Sequence, residues 1–165
     1  MTESKPSKSA RKREQQALKA LGEQLIALAD EQLDTLQLDD RLRDAIRDAR
    51  RMKSHEALRR QKQFIGKLMR GVDPAPIRAL FDKLRASDRR DKRIFADAER
   101  WRDRLVQERD AALPAFEAHA GRAAPELARL LTDLERSHSD REDRTLKRKI
   151  FRVVHRTLAA ASADE

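Results

Sequence analysis

Apolar residues recur at intervals of three and four along most of this chain, and this spacing restricts its fold more than any other feature. The first example is a stripe of leucines at Leu18, Leu21, Leu25, Leu28 and Leu36. An α-helix has 3.6 residues per turn, so such residues share one face. No segment alternates between apolar and polar residues over a useful length, and we therefore predict an all-α protein without a sheet. Five phenylalanines, one tryptophan and no tyrosine predict a thin aliphatic core.

The same pattern predicts where the helices lie. We expect helices over residues 9–35, 40–70, 74–109, about 110–120, 125–138 and about 144–160, with Asp39 and Asp73 as N-caps and Gly71 as a left-handed C-terminal cap. The third helix has a charged middle, which we expect to be exposed or bent. The last helices are separated by Gly121 and Pro125.

The predicted helix over residues 40–70 carries two apolar stripes that are out of phase by about a third of a turn. Either the helix breaks within residues 53–56, or one continuous helix passes from one lobe into another. We favour the continuous helix, because no proline or glycine interrupts it.

A chain of 165 residues suffices for one domain or for two small lobes. We predict a disordered basic arm over residues 1–8 and a short tail over residues 161–165. Residues 9–160 would form a single all-helical domain of two lobes, each resembling a three-helix bundle, joined by long helices.

The charge balance predicts a polyanionic partner. The net charge is +9 and the isoelectric point is about 10.3. Excess lysine and arginine bind phosphates by displacing counterions, so nucleic acid is the first candidate and an anionic membrane the second. Cysteine is absent, which excludes disulfides and thiolate metal sites. The first thirty residues contain no unbroken apolar run, and we expect a cytoplasmic protein without a signal peptide or spanning helix.

Residues 56–70, EALRRQKQFIGKLMR, concentrate this charge on one helix. A helical wheel places the apolar residues and Gln61 on one arc and the cations on the rest. A face that serves only solubility usually mixes acids with bases, yet Glu56 is the one acid in this segment. A solvated face remains the alternative, but bound phosphates would relieve the repulsion between the cations.

Three further basic clusters are candidates for RNA contact. The N-terminal cluster is either an RNA-binding arm or an unstructured tail, the cluster RASDRRDKR is better explained as an exposed, self-paired helix face, and the cluster on the last helix fits both interpretations equally. Trp101 could stack on a base, although its spacing from Ala98 and Leu105 favours the core. The residues that we predict to contact RNA are Arg59, Arg60, Lys62, Lys67, Arg70, Arg51, Lys53, Arg11, Lys12, Arg13, Lys149 and Arg152.

The sequence offers no constellation for catalysis. The four histidines are scattered, no H-x-x-x-H or phosphate-binding glycine motif is present, and the acidic residues alternate with arginine and lysine. We predict no catalytic residue, no metal site and no cofactor.

At the basic segment the chain also resembles a known family. RRQKQFIGKLMR, the preceding SKSARKREQQALKALGEQLIALADEQL and the following DPAPIRALFDKL are similar to the DarP (YjgA) family of bacterial ribosome-associated proteins. The likeness continues through ERWRDRLV and, more weakly, to residue 158. Some members carry a long acidic N-terminal extension, whereas this chain starts short and basic.

The resemblance implies an all-helical, dumbbell-like protein that associates with immature large (50S) ribosomal subunits and assists late maturation around the peptidyl transferase centre. Our prediction is a monomeric, non-enzymatic assembly factor that binds large-subunit rRNA. The alternative is a helical scaffold that pairs with another protein and uses its charge for solubility. An RNA-modifying or RNA-cleaving enzyme is a third option that no group of residues supports.

Overall fold

The computed structural model describes residues 7–163, and every regular element in that range is helical. Two short 3-10 turns, Met69–Gly71 and Arg109–Ala112, interrupt the series. The prediction of an all-α protein is confirmed. The α-helices of the described range are α1 (Lys8–Leu25), α2 (Asp30–Asp34), α3 (Asp40–Arg51), α4 (His55–Leu68), α5 (Pro74–Glu108), α6 (Leu113–Ala120), α7 (Pro125–Glu135) and α8 (Asp140–Ala161).

The chain forms two compact units, Met1–Leu84 and Arg85–Glu165. Each unit has its own apolar core. Helix α5 contains the boundary between them, so its first turns belong to one unit and the remainder to the other.

In the first unit, α4 packs against both α1 and α3. Lys62 lies beside Glu23, while Gly66, one turn further along α4, lies beside Lys19. A higher residue number on α4 is paired with a lower residue number on α1, so the two helices are antiparallel. Leucines and isoleucines of α1, α2, α3 and α4, together with Met69 and Ile77, form the core of this unit.

Glycine allows α1 and α4 to approach closely. A methyl group added at Gly22 would lie 2.8 Å from Met69 Cγ and 2.9 Å from Ile65 Cγ2, closer than carbon atoms can pack. Gly66 faces α1 in the same way, but an added methyl would meet Lys19 Cγ at 3.0 Å, on a half-exposed and flexible side chain. The tight contact therefore centres on Gly22.

The two predicted long helices of the first unit are each broken. The helix expected over residues 9–35 ends at Leu25, and Arg50 of α3 donates hydrogen bonds to the carbonyl oxygens of Ile26 and Leu28, the first at 2.9 Å. The partly buried guanidinium of Arg50 thus satisfies carbonyl groups in the turn that follows α1.

The continuous helix predicted over residues 40–70 is wrong. Met52 takes an extended conformation, and the hydroxyl of Ser54 caps α4 by accepting a hydrogen bond from the Ala57 amide at 3.4 Å. Both α3 and α4 belong to the first unit, so this segment does not connect the units. The out-of-phase stripes arise because two separate helices pack on one core.

The predicted caps are mostly confirmed. Asp39 accepts from the Arg41 amide at 2.8 Å, and Asp73 accepts from the Ala75 amide at 3.0 Å. The left-handed conformation expected at Gly71 occurs instead at Gly121, with φ of 64°, where it ends α6. Gly71 closes a 3-10 turn without a positive φ, so any residue could adopt its backbone conformation.

The predicted chain ends need correction as well. The disordered arm was expected over residues 1–8, but Ser7 caps α1 and Lys8 begins it, while residues 1–6 lie outside the described range. At the other end, α8 extends to Ala161, one residue into the segment that was predicted to be a tail. Helix α8 also starts at Asp140 instead of residue 144, because Ser139 caps it by accepting from the Glu142 amide.

In the second unit, α8 packs on α7 and α6 around a core that includes Leu105, Phe116, Leu131 and Ile150. Helix α5 is continuous over 35 residues, and every residue of its charged middle, residues 85–93, is exposed. It ends where Arg109 takes a left-handed conformation with φ of 56°. Trp101 packs edge-to-face on Phe116 at 5.5 Å, as the core interpretation predicted.

A side-chain hydrogen bond joins α5 to α6. His119 Nε2 lies 2.8 Å from Asp97 Oδ2, and Arg100 contacts the other carboxylate oxygen of Asp97 at 2.8 Å. Partial burial raises the pKa of Asp97, but the hydrogen bonds from His119 and Arg100 outweigh it, and the pKa lies below its usual value.

We predict that Gly22→Ala lowers the free energy of unfolding by about 1 kcal/mol. The methyl would overpack two buried side chains, at a cost of about 1–3 kcal/mol, against a gain in helix propensity of about 1 kcal/mol. Gly66→Ala is the matched control, because Lys19 can move aside and the propensity gain remains. Urea denaturation measures both. A Gly22→Ala protein as stable as Gly66→Ala would contradict the close contact.

We predict that Asp97→Asn destabilises the second unit by about 1 kcal/mol at neutral pH. A carboxylate with a lowered pKa stabilises the fold above its unfolded pKa of about 4, and this stability is lost as the pH falls through the folded pKa. The difference in the free energy of unfolding between Asp97→Asn and the parent protein should therefore disappear in acid. Asp91→Asn, on the exposed middle of α5, is the control for the charge change. Denaturation at several pH values gives the test, and a difference that does not change with pH would contradict it.

Candidate nucleic-acid interface

Four of the predicted cations form one exposed surface on α4 and the 3-10 turn after it. Arg59, Arg60, Lys67 and Arg70 are all exposed, and we call them the α4 basic face. At about 100° per residue, the first three fall within an arc of about 100° on the side away from Ile65. The wheel also placed Gln61 on the packed side, and the structure confirms this: its Nε2 donates to the Ala45 carbonyl at 2.9 Å.

Lys62 does not share this surface. It is half-buried at the seam between α4 and α1, with its Nζ 3.5 Å from a carboxylate oxygen of Glu23. Lys19 approaches the other oxygen of Glu23 at 3.8 Å. Lys62 thus links the two helices, a contact between residues far apart in sequence that a helical wheel cannot predict.

Little negative charge opposes the α4 basic face. The one ion pair that it makes within residues 7–163 joins Arg60 to Glu56 at 3.7 Å, and both side chains are about two-thirds exposed. An ion pair so open to water is weak and readily exchanged for another anion. Arg59, Lys67 and Arg70 have no carboxylate within 4.0 Å in the described chain, so the field of these cations remains available to a ligand.

Further exposed cations lie near both ends of α4. Arg51 ends α3 and Lys53 immediately precedes α4, so these two adjoin its N-terminal end. Arg11, Lys12 and Arg13 lie in the first half of α1, which is helical here and not disordered. Because α1 runs antiparallel to α4, these three lie toward the end of α4 that carries Arg70. The predicted cations of the first unit therefore follow the length of α4.

The two predicted residues of the second unit lie on α8. Lys149 and Arg152 are exposed and border a shallow groove of about 520 Å³ against α7. Glu126 and Asp133 line the same groove, and Arg156 forms an ion pair with Glu126. This surface mixes both signs of charge, unlike the α4 basic face.

Sequence reasoning missed an aromatic surface beside the other edge of α8. Phe95 of α5 is 50% exposed, and no other large apolar side chain in residues 7–163 is as open. Its ring meets Phe151 edge-to-face at 5.2 Å, next to a groove of about 840 Å³ between α5 and α8. The pKa of Arg102, which lines this groove, is raised by its hydrogen bond to Asp103. The available signal was a phenylalanine adjacent to the charged middle of α5.

Within residues 7–163 no three histidine, aspartate or glutamate side chains are grouped so that they could hold a metal ion. The contact of Asp97 with His119 and Arg100 joins α5 to α6. No helix within the described range is both long and apolar enough to cross a bilayer.

Comparison with known proteins gives one consistent result. The family model of the dual-action ribosomal maturation protein DarP matches residues 4–155. The protein of that name from Thiobacillus denitrificans is 37% identical over 155 residues, covering 94% of this chain and 88% of the relative. Its namesake from Nitrosomonas eutropha is 35% identical over 161 residues, covering 98% and 92%. The Idiomarina loihiensis protein is 40% identical over 154 residues, covering 92% and 90%.

Proposed function

The chain belongs to the DarP family of dual-action ribosomal maturation proteins, and we propose from this premise that it is a maturation factor that binds rRNA of the immature large (50S) subunit. It acts late, around the peptidyl transferase centre, as a cytoplasmic monomer and without catalysing a reaction. The observation that carries this proposal is the α4 basic face, whose exposed cations are almost unopposed by acids.

Phosphate binding explains why these cations are kept together. Lysine and arginine at neighbouring positions on a helix repel one another, which weakens the helix. Phosphates bound along the face would remove this repulsion and release counterions into the solvent. The flanking cations Arg51, Lys53, Arg11, Lys12 and Arg13 would lengthen the same contact.

The packed side of α4 gives the contact its rigidity. Ile65 and Met69 are fully buried, and Gln61 is held by the Ala45 carbonyl. The helix axis and rotation are therefore fixed before RNA arrives, so binding would order only the exposed side chains. Contacts of this kind recognise the shape and backbone of folded RNA and carry little base specificity.

We predict that Arg59→Gln, Arg60→Gln and Lys67→Gln together weaken binding to precursor large subunits and leave the fold intact. The slope of the logarithm of affinity against the logarithm of salt concentration should fall by roughly two to three, since each phosphate contact contributes slightly less than one. Co-sedimentation at several salt concentrations measures both quantities. Arg89→Gln, Lys92→Gln and Arg93→Gln remove the same charge from the exposed middle of α5 and serve as the control.

The outcomes separate the two functions considered. A helical scaffold that pairs through apolar contacts would bind precursor particles with little salt dependence, and its binding would not respond to the α4 substitutions. Equal losses in the α4 triple variant and its control would indicate a general charge effect. Either result would contradict the proposal that the α4 basic face binds rRNA.

We also predict that the protein is enriched on incomplete large subunits and depleted from translating ribosomes. A helix about 10 Å wide can reach rRNA phosphates only where the RNA is still open, and mature packing would close that access. Gradient fractionation, with and without the gene, gives the measurement, and deletion should cause precursors to accumulate, most clearly in the cold. Equal amounts on polysomes and precursors, with no accumulation on deletion, would contradict an assembly role.

A further inference from the structure

The groove between α5 and α8 in the second unit combines an exposed aromatic ring with a row of arginines. Arg144, Arg148 and Arg152 follow one another at intervals of four residues along α8, so they lie on one side of the helix. Phe95 and Phe151 form the apolar part of the lining. None of the contacts in this groove involves the first unit.

The aromatic part is only half used by the fold. Phe151 is partly buried against the core, and His155 lies 5.8 Å from its ring. The rings of Phe95 and Phe151 meet edge-to-face at an interplanar angle of 66°. Half of the Phe95 side chain remains exposed to solvent. This half of the Phe95 surface therefore remains open to a ligand.

The charged part of the groove has an excess of cations. Five arginine and lysine side chains line it against two carboxylates, Glu99 and Asp103. Asp103 is occupied by Arg102 at 2.8 Å, and Lys147 lies 3.9 Å from Asp143. Arg148 and Arg152 have no carboxylate within 4.0 Å in the described chain, and like charges four residues apart on a helix repel.

We propose that this groove binds an unpaired nucleotide of single-stranded RNA, with the base stacked on Phe95 and the adjoining phosphates held by Arg148 and Arg152. The volume of about 840 Å³ lies within the range of small-ligand sites, which is about 300–1,000 Å³. The proposal rests on the proposed function to the extent that the ligand is RNA, but it concerns a different surface and a different feature of RNA.

The combination of groups favours this ligand over others. An acidic peptide would satisfy the arginines but leave the open ring of Phe95 without a purpose, and an apolar helix would have to desolvate the cations. In a duplex the base faces are already stacked, so a ring can reach them only where the RNA is unpaired. Stacking on an aromatic ring beside cations is how proteins hold single strands with little sequence preference.

The test compares a short fluorescein-labelled oligouridine with an abasic oligomer of the same length and charge, both added to the full chain. The parent protein should bind oligouridine about fivefold more tightly or better, because only oligouridine offers bases to stack. Phe95→Leu, which keeps an apolar side chain of good helix propensity, should reduce the oligouridine affinity to that of the abasic oligomer. Arg148→Gln with Arg152→Gln should weaken both ligands, whereas Arg78→Gln with Arg89→Gln should weaken both much less.

A spectroscopic variant reports the stacking itself. In Phe95→Trp the new indole should be quenched by oligouridine and not by the abasic oligomer, while Trp101, packed on Phe116, should respond to neither. Circular dichroism checks that each variant folds. We expect the substitutions at Phe95 to be tolerated, because half of this side chain is exposed.

The proposal is overturned if the parent binds both oligomers equally, if Phe95→Leu binds oligouridine as the parent does, or if the new indole is not quenched. The outcome for the α4 triple variant separates the two proposals. If that variant still loses precursor binding, the failure concerns this groove alone, whereas a parent protein with no affinity for precursor particles would overturn both.

Discussion

The close contact of α1 with α4 at Gly22 is the interaction on which the charge arrangement of the first unit depends. Because no side chain separates the helices there, Ile65 and Met69 reach the core completely and α4 keeps one fixed rotation. Because the rotation of α4 about its axis is fixed, only the side of the helix opposite Ile65 is exposed, and the cations lie there. The α4 basic face is therefore a consequence of packing. The same contact brings Lys62 to Glu23, which turns one cation of the segment into a link between helices.

In the second unit, the two edges of α8 face different surroundings. The core of this unit is formed by α6, α7, α8 and the second half of α5, and α8 borders a groove on each of two edges. One edge of α8 faces α7, where acids and bases alternate and neutralise each other. The other edge faces α5 across the groove of about 840 Å³, which Phe95 and the arginines line but do not fill. Mixed charge on one edge and an arginine row with an open ring on the other suit different partners.

The sequence predicts the helical class and most local signals, because these depend on neighbours within one turn. Asp39 and Asp73 cap as expected, and the wheel for α4 placed Gln61 on the packed side and Arg59, Arg60 and Lys67 on the exposed side. A break within residues 53–56 was one of two alternatives but was not favoured, because a serine cap and an extended Met52 end one helix and begin another without proline or glycine. Lys62 and Phe95 were beyond prediction from periodicity, since the surroundings of each are set by a residue more than thirty positions away in the chain.

The two proposed surfaces differ in what they can distinguish. Phosphates are present on every RNA, paired or unpaired, so the α4 basic face would supply affinity and on-rate and would distinguish a precursor from a finished subunit only through its access to the RNA. An unpaired base is a property of RNA that has not yet folded, and it disappears once the base pairs or becomes buried. A site that needs such a base would make the affinity of the protein fall as folding proceeds, without any change in the protein. Release would then follow from completion of the RNA structure, because the ligand of the groove is removed while the phosphates remain.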